Sequence, residues 1–71
     1  MTDAALTTAV KTKLLADSEV KGLKIDVDTK DGVVTLNGVA ETPSALQRAV
    51  KLAEATKGVK EVRNHLTVKQ G

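Results

Sequence analysis

Leu23-Lys24-Ile25-Asp26-Val27-Asp28-Thr29-Lys30-Asp31-Gly32-Val33-Val34-Thr35-Leu36-Asn37-Gly38-Val39 reads as two strands folded about a tight turn. Residues 23–29 alternate strictly between apolar and polar, the pattern of a strand with one buried face. Asp31-Gly32 is a strong signal for a two-residue type I′ turn, because both central positions need φ > 0. That turn sets Lys30 opposite Val33, Thr29 opposite Val34, Val27 opposite Leu36 and Ile25 opposite Gly38. Every partner on the second, third and fourth of these rungs is apolar or small. The other face collects Lys24, Asp26, Asp28, Lys30, Val33, Thr35 and Asn37. A slip of one residue would turn the apolar set towards water, so the turn chemistry and the hydrophobic pattern support one register.

Before the hairpin, Leu6, Val10 and Leu14 repeat at helical spacing within residues 2–16, with Ala9 filling the stripe. Thr2 or Asp3 can cap the free N–H groups of this helix, and Asp3 suits its positive end. Lys13 lies at the edge of the stripe, where its stem can run along apolar surface. Leu15 falls nearly opposite the stripe, so it is either an exposed leucine or a point where the helix has already unwound. Residues 17–22 read as a connector.

After the hairpin, Thr42-Pro43 marks a second helix start, a capping hydroxyl followed by proline at the first helical position. The helix is expected over residues 43–57, with Leu46, Ala49, Val50 and Ala53 buried and Gly58 in the left-handed position beyond its end. A third strand follows, with Val62, Leu66 and Val68 on one face and Arg63, His65, Thr67 and Lys69 on the other. Asn64 falls among the inward positions, where a buried amide needs a partner such as a loop backbone. The order is α-β-β-α-β. Two apolar helix stripes need one common apolar surface, which predicts an α+β fold with both helices on one face of a three-stranded mixed sheet. The whole chain, residues 1–71, is one domain.

A chain of 71 residues buries a thin core and leaves no room for an enclosed substrate pocket. Cysteine is absent, which removes disulfides and thiolate metal sites. Aromatic residues are also absent, so the core is aliphatic and no base-stacking platform exists. The net charge of +2 reflects a mild basic bias in the second half, where Arg48, Lys51 and Lys57 face only Glu54, and Lys60, Arg63 and Lys69 face only Glu61. No apolar run approaches the ~18 residues of a membrane span. Met1-Thr2-Asp3-Ala4-Ala5 has neither a charged leader nor a long apolar segment. The expected address is therefore the cytoplasm if Met1 is the native start, and the periplasm if the chain is the mature fragment of an envelope protein.

Chemistry-bearing residues are sparse. Asp26, Asp28, Asp31 and Gly32 do not fit a calcium loop: the third acid and the glycine come one step late, and Asn37 stands at the twelfth position. Period two accounts for Asp26 and Asp28 as solvent-facing strand residues. His65 is the lone histidine and has neither a companion ligand nor a nucleophile beside it. Gly32, Gly38 and Gly58 serve a turn, strand packing and a helix end; no phosphate-binding loop surrounds them. No G-x-x-G loop and no aromatic pair offers RNA-binding chemistry. Neither a catalytic residue nor a cofactor site is expected.

Taken together, Val10-Lys11 with Leu14-Leu15-Ala16-Asp17, the run Val27 to Gly38, and Gly58-Val59-Lys60-Glu61-Val62-Arg63-Asn64-His65-Leu66-Thr67-Val68 resemble the BON (bacterial OsmY and nodulation) domain. The resemblance spans nearly the whole chain. It implies a non-catalytic binding module of bacterial envelope proteins, often present in several copies. Such modules are associated with anionic phospholipid, membrane integrity and osmotic stress; some act as chaperones, and one relative binds potassium. The candidate lipid contacts are Lys11, Arg48 and Lys51 on the outward helix faces. Each cation near an anionic surface contributes about 1 kcal/mol, so a single copy attaches weakly and linked copies gain by avidity. Envelope client proteins are the other expected partners, and nucleic acid is not one. The competing readings are a structural or self-associating module packing against neighbouring domains, motivated by Val33 and Val39 on the open sheet face, and a potassium-responsive module, which the resemblance alone implies.

Overall fold

The computed structural model describes residues 2–21 and 24–69. Its elements are α1 (Asp3–Ala16), β1 (Lys24–Lys30), β2 (Val33–Ala40), α2 (Pro43–Glu54) and β3 (Glu61–Val68). The expected α-β-β-α-β order and mixed sheet are present. The strands lie in the order β1-β2-β3, with β1 antiparallel and β3 parallel to β2. Leu23, the expected start of the first strand, lies outside the described residues.

The hairpin register is the one its turn and apolar pattern require. Lys30 faces Val33, Thr29 faces Val34, Val27 faces Leu36 and Ile25 faces Gly38. Asp31 and Gly32 both have positive φ, 52° and 82°, as a type I′ turn demands. The second strand runs one residue further than expected, because Ala40 is fully buried on the inward face.

The core fills the space between that face and the two helices. Leu6, Val10 and Leu14 of α1 are buried, as are Val27, Val34, Leu36, Ala40 and Leu66 from the sheet. Leu36 and Leu66 point inwards, as the two-layer reading needs. The opposite face stays open, with Asp26, Asp28, Lys30, Asn37, Val39, Arg63, His65 and Thr67 exposed. Val33, expected to be exposed there, is half-buried between its neighbours Lys30 on β1 and Glu61 on β3.

The second helix departs from expectation at its face and its end. Ala45, Ala49 and Ala53 are its buried stripe, and Leu46 and Val50 are only half-buried. Small side chains let α2 sit low over the sheet, which turns the larger residues to its flank. The helix ends at Glu54, not near Lys57, because the Thr56 hydroxyl takes the Leu52 carbonyl at 2.9 Å and the Thr56 amide bonds Ala53 at 3.1 Å. Gly58, with φ 96°, belongs to the turn that follows, closed by the Val59 amide on the Thr56 carbonyl.

Candidate functional site

The candidate contacts stand on helices whose positions are fixed by short-range chemistry. Thr2 caps α1 by accepting the Ala5 N–H at 3.1 Å. That leaves Asp3 free for another task. Its two carboxylate oxygens accept the N–H groups of Asp31 and Gly32 at 3.0 and 3.2 Å, pinning the start of α1 to the hairpin turn. One turn along, the Thr7 hydroxyl donates to the Thr29 hydroxyl at 2.8 Å. At the far end, Lys13 Nζ donates to the Ala55 carbonyl at 3.3 Å, reaching the last turn of α2. The helix is thus tied to the sheet and to its partner, and its outer side is held at a fixed angle.

On that outer side Lys11, Leu14, Leu15 and Ile25 line an open groove of about 120 Å³ between α1 and β1. Leu15 is 70 % exposed, the most exposed large apolar residue among those described, and α1 continues past it to Ala16. It is therefore an exposed leucine on an intact helix. Lys11 stands four residues before it, on the same side of the helix. Lys11 takes part in none of the ion pairs among the described residues, which are Arg48–Asp17, Arg63–Glu61 and Lys69–Glu41.

Arg48 is placed differently. Its Nε lies 2.8 Å from Asp17 Oδ2, and Asp17 Oδ1 accepts the Glu19 N–H at 2.9 Å. The Arg48 hydrogen bond, joined by that backbone donor, holds the Asp17 carboxyl below its ordinary 3.8. The pair ties α2 to the connector, whose Val20 is buried in the core. The Arg48 guanidinium is already engaged within the protein.

Lys51 lines a second groove, with Leu46, Gln47, Val50, Glu54 and Asn64, between α2 and β3. The structure therefore separates the candidates: Lys11 on the β1 side, Lys51 on the β3 side, and Arg48 bound to Asp17. Asn64, expected to be buried, is exposed at the rim of this groove. Its Oδ1 accepts the Leu66 N–H of its own strand at 2.9 Å instead of reaching a loop. The reason is position: β3 is an edge strand, and the low seat of α2 on its alanines leaves the outer half of β3 uncovered.

The open sheet face carries a third, shallow groove lined by Asp28, Lys30, Asp31, Val33, Thr35 and Arg63. His65 is exposed, facing Asn37 on β2. Among the described residues no group of three or more His, Cys, Asp or Glu side chains could hold a metal ion. No described helix is long and apolar enough to cross a membrane. The arrangement offers surfaces for contact, with one basic and apolar pair on α1.

Sequence reasoning left three of these features unread. The Asp3 contact joins residues 28 positions apart, Thr7–Thr29 joins residues 22 apart, and Val20 was hidden in a polar connector. Only Leu15 had left a signal, its place off the apolar stripe.

Comparison with known proteins follows the same outline. The BON domain profile matches residues 2–70. The chain is 43 % identical over 67 residues to the osmotically-inducible protein Y of Escherichia coli (strain K12), covering 94 % of this chain and 33 % of that protein. It is 42 % identical over 60 residues to a 21 kDa hemolysin of Actinobacillus pleuropneumoniae, covering 84 % of this chain and 30 % of the relative. The chain thus spans about a third of the length of these two relatives.

Proposed function

Because the chain belongs to the BON domain family, we propose that it is a non-catalytic binding module of the bacterial envelope, serving in osmotic or envelope stress by contact with anionic phospholipid. The observation that carries the reading is Leu15, exposed beside Lys11, which joins none of the ion pairs among the described residues. Burying a leucine in the interfacial region contributes about 1.5–3 kcal/mol. A lysine at the headgroups adds about 1 kcal/mol. Lys11 and Leu15 are the first contacts; Lys51 and the exposed part of Arg48 are peripheral ones on the other side of the domain. The module works in the periplasm as part of a longer protein, where linked copies raise a weak attachment through avidity. The osmotic association of the Escherichia coli relative supports this setting. Envelope proteins are the alternative partners for the same exposed leucine.

Co-sedimentation with vesicles separates these partners. The 71-residue chain should bind phosphatidylglycerol vesicles at low salt and release as salt rises, and bind neutral vesicles much less. Leu15→Ser should reduce binding about tenfold or more, and Lys11→Gln should reduce its salt dependence. Equal, negligible binding to both vesicle types would eliminate the lipid contact.

A further inference from the structure

Among the described residues, the sheet ends in an uncovered edge at β3. In the order β1-β2-β3, β3 has β2 on one side and no described strand on the other. Just past its end, the Lys69 N–H donates to the Ala40 carbonyl of β2 at 2.8 Å. The Leu66 N–H instead meets the side chain of Asn64. Backbone groups of successive strand residues alternate sides, so Val62, Asn64, Leu66 and Val68 turn theirs to the free edge. Such a row is a template for another strand. Eight residues without proline or a glycine leave it long and regular.

We infer that this edge pairs antiparallel with β3 of a second copy of the same chain, in the register that sets His65 opposite its own counterpart. Charge selects the register. With His65 opposite itself, Glu61 faces the partner's Lys69 on both sides of the dyad, and Arg63 faces Thr67. Val62 then lies opposite Val68, and Asn64 opposite Leu66. Centring the dyad on Leu66 sets Arg63 against Lys69, and centring it on Arg63 sets that residue against itself, both like-charge rungs; centring it on Val62 sets Glu61 against Arg63 but overlaps only residues 61–63 of the strand. Centring on Asn64 leaves Glu61 against Thr67 with no opposite-charge rung.

The flank of α2 supplies the second half of the interface. Asn64 borders the open groove of about 250 Å³ in which Leu46 and Val50 are half-buried, with Lys51 and Glu54 at its rim. A second copy seated on β3 brings its own α2 alongside, so these apolar flanks cover one another. Asn64 sets the strength. Its Oδ1 must release the Leu66 N–H before that group can pair with the partner's Asn64 carbonyl, which makes the association weak and reversible. The contact lies at the edge of the sheet away from α1, so it leaves Lys11 and Leu15, the first lipid contacts, free and covers only the peripheral Lys51.

The absence of cysteine makes the register directly readable. At the dyad, two copies of residue 65 form a non-hydrogen-bonded pair with Cα atoms about 4.5 Å apart, within the disulfide range of about 4.4–6.8 Å. Two copies of residue 63 are four residues out of step, roughly 13 Å apart along the strand. In a glutathione redox buffer, His65→Cys should form a disulfide dimer at least tenfold faster than Arg63→Cys or Thr67→Cys alone. An equal mixture of Arg63→Cys and Thr67→Cys should form the mixed disulfide at a rate near that of His65→Cys. All three positions are exposed, and circular dichroism checks that each variant keeps its fold. A His65→Cys rate no greater than the other single variants, or no disulfide dimer at millimolar protein, overturns the inference.

Discussion

Replacing Gly38 with alanine tests how tightly β1 and β2 are packed. Gly38 has φ 142° and faces Ile25 in the hairpin register. An added Cβ would stand 2.1 Å from the Lys24 carbonyl oxygen and 3.1 Å from Ile25 Cα. Carbon and oxygen normally approach no closer than about 3.3 Å, so the strands would have to part by about an ångström. That displacement of backbone costs about 1–3 kcal/mol as overpacking. The positive φ adds about 1–3 kcal/mol of strain for any residue with a side chain. The sum, about 2–6 kcal/mol, is set against a total stability of roughly 4–11 kcal/mol for a domain of this size. Gly58→Ala is the control, because Gly58 is exposed in a turn with φ 96° and carries only the strain component. Urea unfolding should be followed by far-ultraviolet circular dichroism, since the chain has no aromatic fluorophore. Gly38→Ala should lose about twice the stability that Gly58→Ala loses, with an unchanged slope. Equal losses, or a Gly38→Ala protein as stable as the parent, would refute the argument.

Further outcomes follow from the same structure. Leu36→Ala, at a fully buried side chain, should cost about 2–5 kcal/mol by urea titration, leaving the protein marginal or unfolded. Asp3→Ala should speed hydrogen exchange at the Asp31 and Gly32 amides and cost about 1–3 kcal/mol, whereas a surface aspartate such as Asp26 should do neither on replacement. The lowered pKa of Asp17 makes its pair with Arg48 stabilising above the ordinary carboxyl value of 3.8, with that contribution lost as pH falls through the lower folded value. Arg48→Ala should therefore raise the Asp17 pKa in an NMR titration and flatten the acid limb of stability below about pH 4.

The architecture was legible because local and global signals agree along most of this chain. The Asp31-Gly32 turn, the alternation on either side of it and the Thr42-Pro43 helix start each pointed to one arrangement. The end of α2 was not legible, because the Thr56 hydroxyl competes for a helix carbonyl and no residue spacing announces that. The buried face of α2 was read in part: Ala49 and Ala53 are buried as expected, whereas Ala45 was missed and Leu46 and Val50 are only half-buried, because a helix packed closely on a sheet buries its smallest residues. The candidate surface was legible only residue by residue. Sequence shows that Lys11, Arg48 and Lys51 are cations; it does not show that Asp17, held in the connector, engages one of them, or that the other two line separate grooves.

The proposed contact surface is the outer side of α1, and amide chemical-shift mapping against a soluble short-chain anionic phospholipid tests that most directly. Shifts should concentrate on Lys11, Leu14, Leu15 and Ile25, be much smaller at the peripheral Arg48 and Lys51 on the far side, and shrink with a zwitterionic lipid. Shifts gathered on α2 and β3 instead, or the same response to both lipids, would contradict it.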